Sequence, residues 1–461
     1  MTARSTLLDA LGAVRRQVTR HRLRVAFAAV VALCGGVIGF AAVTGSTTAN
    51  AEAVPEAPPT ENHTVVTESA RYGTIIAYAP NGSVAYYNNS HTKYFDVDPV
   101  EGRSMTVEYT AVDTLVTESE RCRDPPCTRN VIERVNISTG EVTEVVSRFD
   151  YREIAGEWHD HVRVNETHVL VADMADDRVF MLDTASGVVD WAWNAQSEFP
   201  VDEGGHYPGD WTHLNDVSLL DDGRVMVSLR NQDQVVFIEP DAGLNESWTL
   251  GSEGNHSRLY EQHNPDYIPE ERGGPAVVVA DSENGRVVEY QREGDGWTRT
   301  WEWSDARLQW PRDADRLPNG NTLITDTNGG RLVEVNPEGE VVWGVELSHP
   351  YDAERLGTGP ESAGGESAAA LGLESQTRES AGGQGYDFRG FGPVVRFLRD
   401  VTPPRVVNAV IYVSPTWLGP AEIGPAVVGT VAAVSWGGLE GWWFLRSRNV
   451  GLRSPVYREE E

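Results

Sequence analysis

A short unit recurs along this 461-residue chain: a β-rich run, a tight turn, a second β-rich run. Its clearest copy is Trp211 to Arg230, WTHLNDVSLLDDGRVMVSLR, with Asp221-Asp222-Gly223 as the turn. Asp-Gly supplies the positive-φ residue that a tight hairpin requires. The unit returns at 160–173, 264–281 and 312–326, the last turning at Asn319-Gly320, and restarts at Tyr351. A related order with an Asn81-Gly82 turn begins near Tyr72, while 111–150 is less regular. Four clear units, near 157–205, 211–252, 260–305 and 310–347, each end in a short Trp-bearing strand. So small a unit cannot bury a core alone, so copies must stack. Strand-only repeats of this length indicate propeller blades; β-solenoid repeats are shorter. The expected fold is all-β, a six-bladed β-propeller over 71–356.

Aligning the copies on Asp160, Asp216, Asp266, Asp313 and Asp352 places Glu157, His213, His263, Trp310 and His349 three residues earlier. The alignment puts three histidines at one position, the loop that enters the inner strand. Arg230 follows the second strand of its unit and opens on the same face, towards His213. The equivalents of its neighbour Leu229 are Asp173, Asp281 and Asp326, which marks this unit as specialised for an anion. A guanidinium offers a planar fork of donors suited to sulfate, phosphate or carboxylate. The competing structural reading has these histidines bonding turn backbone or packing on tryptophans. His159-Asp160-His161 could bind a metal, but that is the minor reading, and no metal is expected.

Outside the repeats the chain reads as a membrane tether. Residues 25–44 form an uncharged apolar run of spanning length, preceded by Arg15, Arg16, Arg20, Arg22 and Arg24 in a basic cytoplasmic segment, 1–24. A cleaved signal sequence is the rival reading. Residues 423–445 are apolar except for Glu440 and carry Trp436, Trp442 and Trp443, and arginines follow in a tail, 446–461. This predicts one transmembrane helix at each end, both termini cytoplasmic, and a propeller facing outside the cell membrane. Residues 45–70 read as a flexible stalk, 357–390 as a disordered linker and 391–422 as a membrane-interface segment. Cys122 and Cys127 are close enough for a small disulfide loop in an oxidising compartment. The chain carries 69 Asp+Glu against 38 Lys+Arg, a net charge of −31, with Lys93 its only lysine. That balance argues against a nucleic-acid partner and fits an archaeal halophile whose carboxylates are screened by salt.

The Trp-Thr-His213-Leu-Asn215-Asp run, the Ser-Leu-Arg230-Asn after it and Glu-Gln-His263 in the next unit resemble the arylsulfotransferases that work without phosphoadenosine phosphosulfate, over roughly 150–350. The resemblance implies a six-bladed propeller outside the membrane that moves a sulfuryl group from an aryl sulfate to a phenol through a sulfated histidine. It assigns His263 as nucleophile; His213, Asn215 and Arg230 as the sulfate-binding set; and His159 or His161 as a further site histidine, while the alignment of the copies adds His349 as a substrate-binding candidate. Sulfuryl transfer gathers negative charge on peripheral oxygens, so placed cations and donors suit it. A neutral imidazole is a competent nucleophile, and a second histidine can handle the phenolic proton. No phosphate-binding Gly-Lys-Ser/Thr loop exists, and no cofactor is expected. The alternative is a non-catalytic cell-surface propeller that binds an envelope ligand or protein, since fold alone supports both.

Overall fold

The turn residues do what the sequence asks of them. Gly223 and Gly320 lie at φ 86° and 83°, and the flanking pairs Leu220 N–H to Arg224 O and Leu317 N–H to Asn321 O, both 2.9 Å, close their hairpins. In the computed structural model, which describes residues 2–44, 51, 54–69, 73–151, 156–378, 402–413 and 420–448, these hairpins build six antiparallel sheets. Blade two is Lys93–Pro99, Thr106–Leu115, Cys127–Asn136 and Glu141–Asp150, so the irregular stretch forms long, regular strands. Cys122 and Cys127 are disulfide-bonded ahead of its third strand, with Cα atoms 5.8 Å apart. Blade three spans Trp158–Asn194, blade four Leu214–Gly251, blade five His263–Asp305 and blade six Pro311–Glu346. Blade one closes the ring: its inner strand Pro350–Arg355 comes from the end of the repeats and pairs with Thr64–Glu68 from their start.

Apolar side chains between neighbouring sheets form the core. Leu170, Val179 and Trp193 of blade three pack with Leu214, Val227 and Val236 of blade four. Trp301 and Trp303 of blade five pack with Ala314, Ile324 and Val333 of blade six. Second-strand acids fix the blade entrances. Asp281 accepts from Tyr260 N and Arg286 Nε, and Asp326 from Gln309 N and Arg331 Nε. Asp173 likewise accepts from Arg178 Nε. In blade four Leu229 replaces that acid and Gln234 replaces the arginine, so the exchange is a swap of structural partners rather than a sign of anion binding.

The chain divides into two units: residues 47–385 with 404–412, and residues 1–46, 386–403 and 413–461. The propeller unit overturns the disordered-linker expectation for the described part of 357–390. A turn at Pro360–Ser362, a helical turn at Ala368–Leu371 and a strand, Gln376–Arg378, parallel to Gly296–Asp305, extend blade five. Small residues do this because nothing larger fits: a Cβ on Gly365 would stand 2.4 Å from Leu317 O. Ala368 N bonds Glu289 Oε1 at 2.7 Å. Residues 379–390 lie outside the described residues. The membrane-interface expectation for 391–422 also needs correction over 404–412. Arg405 Nη2 pairs with Glu261 at 2.9 Å and buried Asn408 donates to Glu283 at 2.8 Å, so this helical stretch is held by the propeller.

In the other unit, helices Thr2–Thr44 and Pro420–Ser447 pack antiparallel, with Arg24 bonded to Glu440 and Cys34 against Gly429. Among the described residues one helix, Thr19–Ala42, is long and apolar enough to cross a membrane. The expected second span does not pass the same test, and an N-terminal helix of this kind fits an anchor or a signal sequence.

Candidate active site

Strand register decides which side chains meet at the channel mouth. Each inner strand begins with an irregular pair: Trp158 faces Asp173, Leu214 faces Leu229, Pro311 faces Asp326 and Pro350 faces Glu68. In blade five His263 faces Ala280, so Gln262 is the residue level with Asp281. The common position after this pair is therefore held by His159, Asn215, His263, Arg312 and Tyr351. The position before it is held by Glu157, His213, Glu261, Trp310 and His349. Backbone angles agree, because His213, Glu261 and Trp310 share φ values of 48°, 48° and 57°. The expectation of three histidines at one position is thus corrected: His213 and His349 share it, and His263 stands two residues further in. Asp266 misled the alignment, since it is level with Asp315 rather than Asp313; the two face Val278 and Leu323, each three residues in from the second-strand acid.

Two adjacent rings of residues still bring the histidines together. The His159 and His213 rings lie 5.1 Å apart, His213 and His263 6.5 Å, and His263 and Tyr351 6.4 Å. Phe95 of blade two stacks on His159 at 4.4 Å and meets Tyr351 at 5.1 Å. Arg312 lies over Trp310 and Tyr351, 4.6 and 4.8 Å from their ring centres. Trp310 is 6.0 Å from His263. Sequence reading missed Phe95, Arg312 and Tyr351, although each is level with, or packed on, a residue it selected. The corrected register is the signal that finds them.

Hydrogen bonds fix the imidazoles. Ser282 Oγ donates to Pro311 O at 2.7 Å and lies 2.8 Å from His263 Nδ1. With its hydrogen committed to that carbonyl, the hydroxyl accepts from Nδ1–H, which leaves the Nε2 lone pair of His263 free. Asp210 Oδ1 lies 2.5 Å from His213 Nδ1 and sets the same tautomer there. Asn215 Nδ2 donates to Gln262 O at 3.0 Å, and its buried Oδ1 has no hydrogen-bond partner. Arg230 pairs with Glu261 through Nη2 and donates to Asn231 Oδ1 at 3.1 Å through Nη1. Glu261 therefore joins Arg230 to Arg405.

These imidazoles are neutral at pH 7. Burial, and then Arg230, push His213 down to about 3. Burial, then Arg312 and Arg230, hold His263 well below the ordinary value. Burial and Arg312 bring His349 to about 4. Burial lowers His159 despite Glu157. His161 differs. It points away from the mouth, with Nδ1 at 2.8 Å from Asp96 and 3.0 Å from Thr110 Oγ1. Burial works against its charge, yet Glu108 and Asp98 raise it. The positive charge at the mouth thus belongs to the arginines, and the nucleophilic capacity to the imidazoles. An open cleft of about 720 Å³ is lined by Asp176, Arg178, Gln196 and Tyr207 among others, and none of these histidines lines it.

Residues 129–347, the last two strands of blade two through blade six, match the sequence model of the Arylsulfotransferase (ASST) family. The match covers just under half of the chain and supports an arylsulfotransferase-like domain over that stretch. No curated protein matches the chain. Similar solved structures include a Bacteroides caccae protein of unknown function, at 12% identity and a TM-score of 0.46, covering 64% of this chain and 98% of that one. A Pseudomonas aeruginosa periplasmic gluconolactonase aligns at 12% identity and a TM-score of 0.41, covering 65% and 99%. A chain of a nidogen–laminin complex aligns at 10% identity and 0.43, covering 63% and 97%.

Proposed function

We propose that this chain is a membrane-anchored, extracytoplasmic sulfotransferase that moves a sulfuryl group from an aryl sulfate to a phenol, through a sulfohistidine at His263 and without a nucleotide donor. The observation that carries the reading is the His263 tautomer: Nδ1–H rests on Ser282 and the Nε2 lone pair is free, beside Arg312 and Arg230. In the first half-reaction Nε2 attacks sulfur. The N–S bond forms as the aryl O–S bond breaks, and its electron pair leaves on the aryloxide. Arg230 and Arg312 balance the charge on the peripheral oxygens. In the second half a phenol oxygen attacks the same sulfur while His213 Nε2 takes the phenolic proton. The N–S pair then returns to His263. Pushed down to about 3, His213 rests neutral and is no resting acid, and Asp210 must steady the imidazolium that forms when it takes the phenolic proton. Asn215 and His159 line the donor site, and His349 acts from the outer ring. The Thr2–Thr44 and Pro420–Ser447 helices are the anchor, with both termini cytoplasmic.

The test is His263→Asn rather than His263→Ala. His263 is only 1% exposed, so truncating it to alanine leaves a hole. Asn can still reach Ser282 but has no Nε2. Wild-type protein given 4-nitrophenyl sulfate should gain one sulfuryl mass on the His263 peptide and lose it on addition of phenol; the variant should do neither. Sulfation of another residue, or release of nitrophenol by the folded variant, would rule out this mechanism. A non-catalytic binding propeller is favoured by one observation, that Glu261 already occupies Arg230. A folded wild type without turnover at any donor would select it.

A further inference from the structure

Below the histidine mouth the channel is lined by carboxylates. Asp96, Asp160, Asp216, Asp313 and Asp352 form one level; Asp98, Asp266, Asp315 and Glu354 form the next, as the strand pairings place them. Most are spoken for. Asp160 Oδ2 accepts from Val217 N, Asp352 Oδ2 from Val97 N at 2.7 Å, Asp96 Oδ2 from His161 at 2.8 Å, and Glu354 from Ser362. Asp266, Asp313 and Asp315 are different. They are 7%, 3% and 3% exposed. One oxygen from each lies within 4.8 Å of the others. The Oδ2 atoms of all three are buried and accept from no N–H or hydroxyl, and the carboxyls meet other carboxyls, Asp266 with Asp315 and Asp313 with Asp352. Leaving several buried acceptors unpaired is costly, and leaving several ionised carboxylates in contact is costlier.

We propose that Asp266, Asp313 and Asp315 form a binding site for a hard divalent cation of the calcium class on the propeller channel. The donor set is all oxygen, with no imidazole or thiolate, which selects against zinc and softer metals. Three carboxylates, with Asp352 and Glu354 adjacent, supply more negative charge than a monovalent ion balances. The cluster Asp96, Asp160 and His161 is the weaker choice, because its oxygens already hold Val217 and His161. Electrostatics agrees: burial, and then the neighbouring carboxylates, keep Asp313 and Asp315 well above the ordinary carboxylate range. A bound cation would tie the inner strand of blade five, which carries His263, to that of blade six, which carries Arg312. The site stands apart from the sulfotransfer reading and survives its failure.

The full-length chain in detergent and molar sodium chloride, stripped with EDTA and dialysed against calcium chloride, tests this. Metal analysis should find one tightly held calcium per chain, saturably, and the melting temperature should rise with calcium and fall again with EDTA. Asp313→Asn and Asp315→Asn should each weaken calcium binding at least tenfold. Asp190→Asn, in the partly exposed His168/Asp183/Asp190 cluster, should not. Wild type that binds no stoichiometric calcium overturns the proposal, and this holds even if the variants fail to fold. Calcium binding unchanged in the folded variants overturns it too. So does a stripped chain whose melting temperature rises on Asp313→Asn and ignores calcium, which would mean that the carboxylates are simply protonated.

Discussion

Ser282→Ala separates the two jobs that the structure gives this hydroxyl. Ser282 is fully buried, receives His263 Nδ1–H at 2.8 Å and donates to Pro311 O at 2.7 Å. Alanine removes both bonds at little change in volume. Each is worth about 1 kcal/mol net, and the buried carbonyl and imidazole N–H left behind add to the loss, so the expected destabilisation is about 2–3 kcal/mol. In a domain of this size that lowers the melting temperature by about 3–5 °C. The chemical effect is smaller and separable. Without an acceptor at Nδ1 the imidazole loses about 1 kcal/mol of preference for the tautomer with a free Nε2, and some orientation besides. Sulfation should slow by about 5–20-fold, since 1.4 kcal/mol is tenfold in rate. The assay is the single-turnover burst of nitrophenolate, well below the variant's melting temperature, with saturating donor. Full burst rate in a variant that has lost the predicted stability would refute the tautomer argument and leave Ser282 a packing residue. Loss as complete as in His263→Asn would show that Ser282 contacts the reacting group itself.

Three further outcomes follow from the same geometry. Arg230→Lys should lower turnover by roughly 10–100-fold in aryl-sulfate assays, because an ammonium cannot span the sulfate and Glu261 together as the fork does; an unchanged rate would place the donor on Arg312 alone. Asp210→Asn takes away the charge that supports protonated His213, so sulfo-enzyme should accumulate when phenol is limiting, and intact mass should show more of it than in wild type at steady state. Stability should fall as pH rises from about 6.5 to 9 in the absence of divalent cations. Burial holds Asp160 at about 6, and Asp266 and Asp352 at about 7, so their stabilising share is full below the unfolded carboxylate value of about 4, declines from there and is gone above about 7, which leaves His91 to carry the fall to pH 9. Despite its burial, Asp113 and Glu133 raise His91 to about 9, which has the same sign. The depressed histidines act oppositely but only below about 6.5, where their unfolded forms titrate. Thermal melts across that range check it, and a flat or rising curve would contradict the raised His91.

The repeats were legible because each hairpin announces itself locally: Asp-Gly or Asn-Gly turns, alternating strands, a closing tryptophan. Stacking then follows from the need to bury apolar faces, so the blade count needed no tertiary information. The tail after the last blade was not legible. Gly364, Gly365, Ser367 and Ala368 read as a linker by composition, yet small residues are what a strand-edge crevice accepts, and the crevice exists only once blades five and six are built. The helical stretch around Asn408 hides for a related reason. Its fastening is polar, through Glu261, Glu283 and Asn328, and those partners lie far away in sequence.

The histidine alignment failed in a way that carries information. An aspartate occurs at two levels of the channel in blade six, Asp313 and Asp315, and in blade five only at the lower one, Asp266. Counting back three residues from Asp266 therefore lands on His263, and the symmetry this created was false. The corrected ring is less symmetric and chemically better suited to group transfer. Equivalent positions hold a nucleophile candidate, His263; a guanidinium, Arg312; an amide, Asn215; and the aromatic wall of Tyr351, with His159 opposite. A binding propeller can present the same residue from every blade, because a repeated ligand asks for repeated contacts. A reaction that moves a charged group between two oxygens asks each blade for something different. The divergence of one position across five blades, on inner strands that otherwise keep a common register, is the part of the fold that points most directly to chemistry.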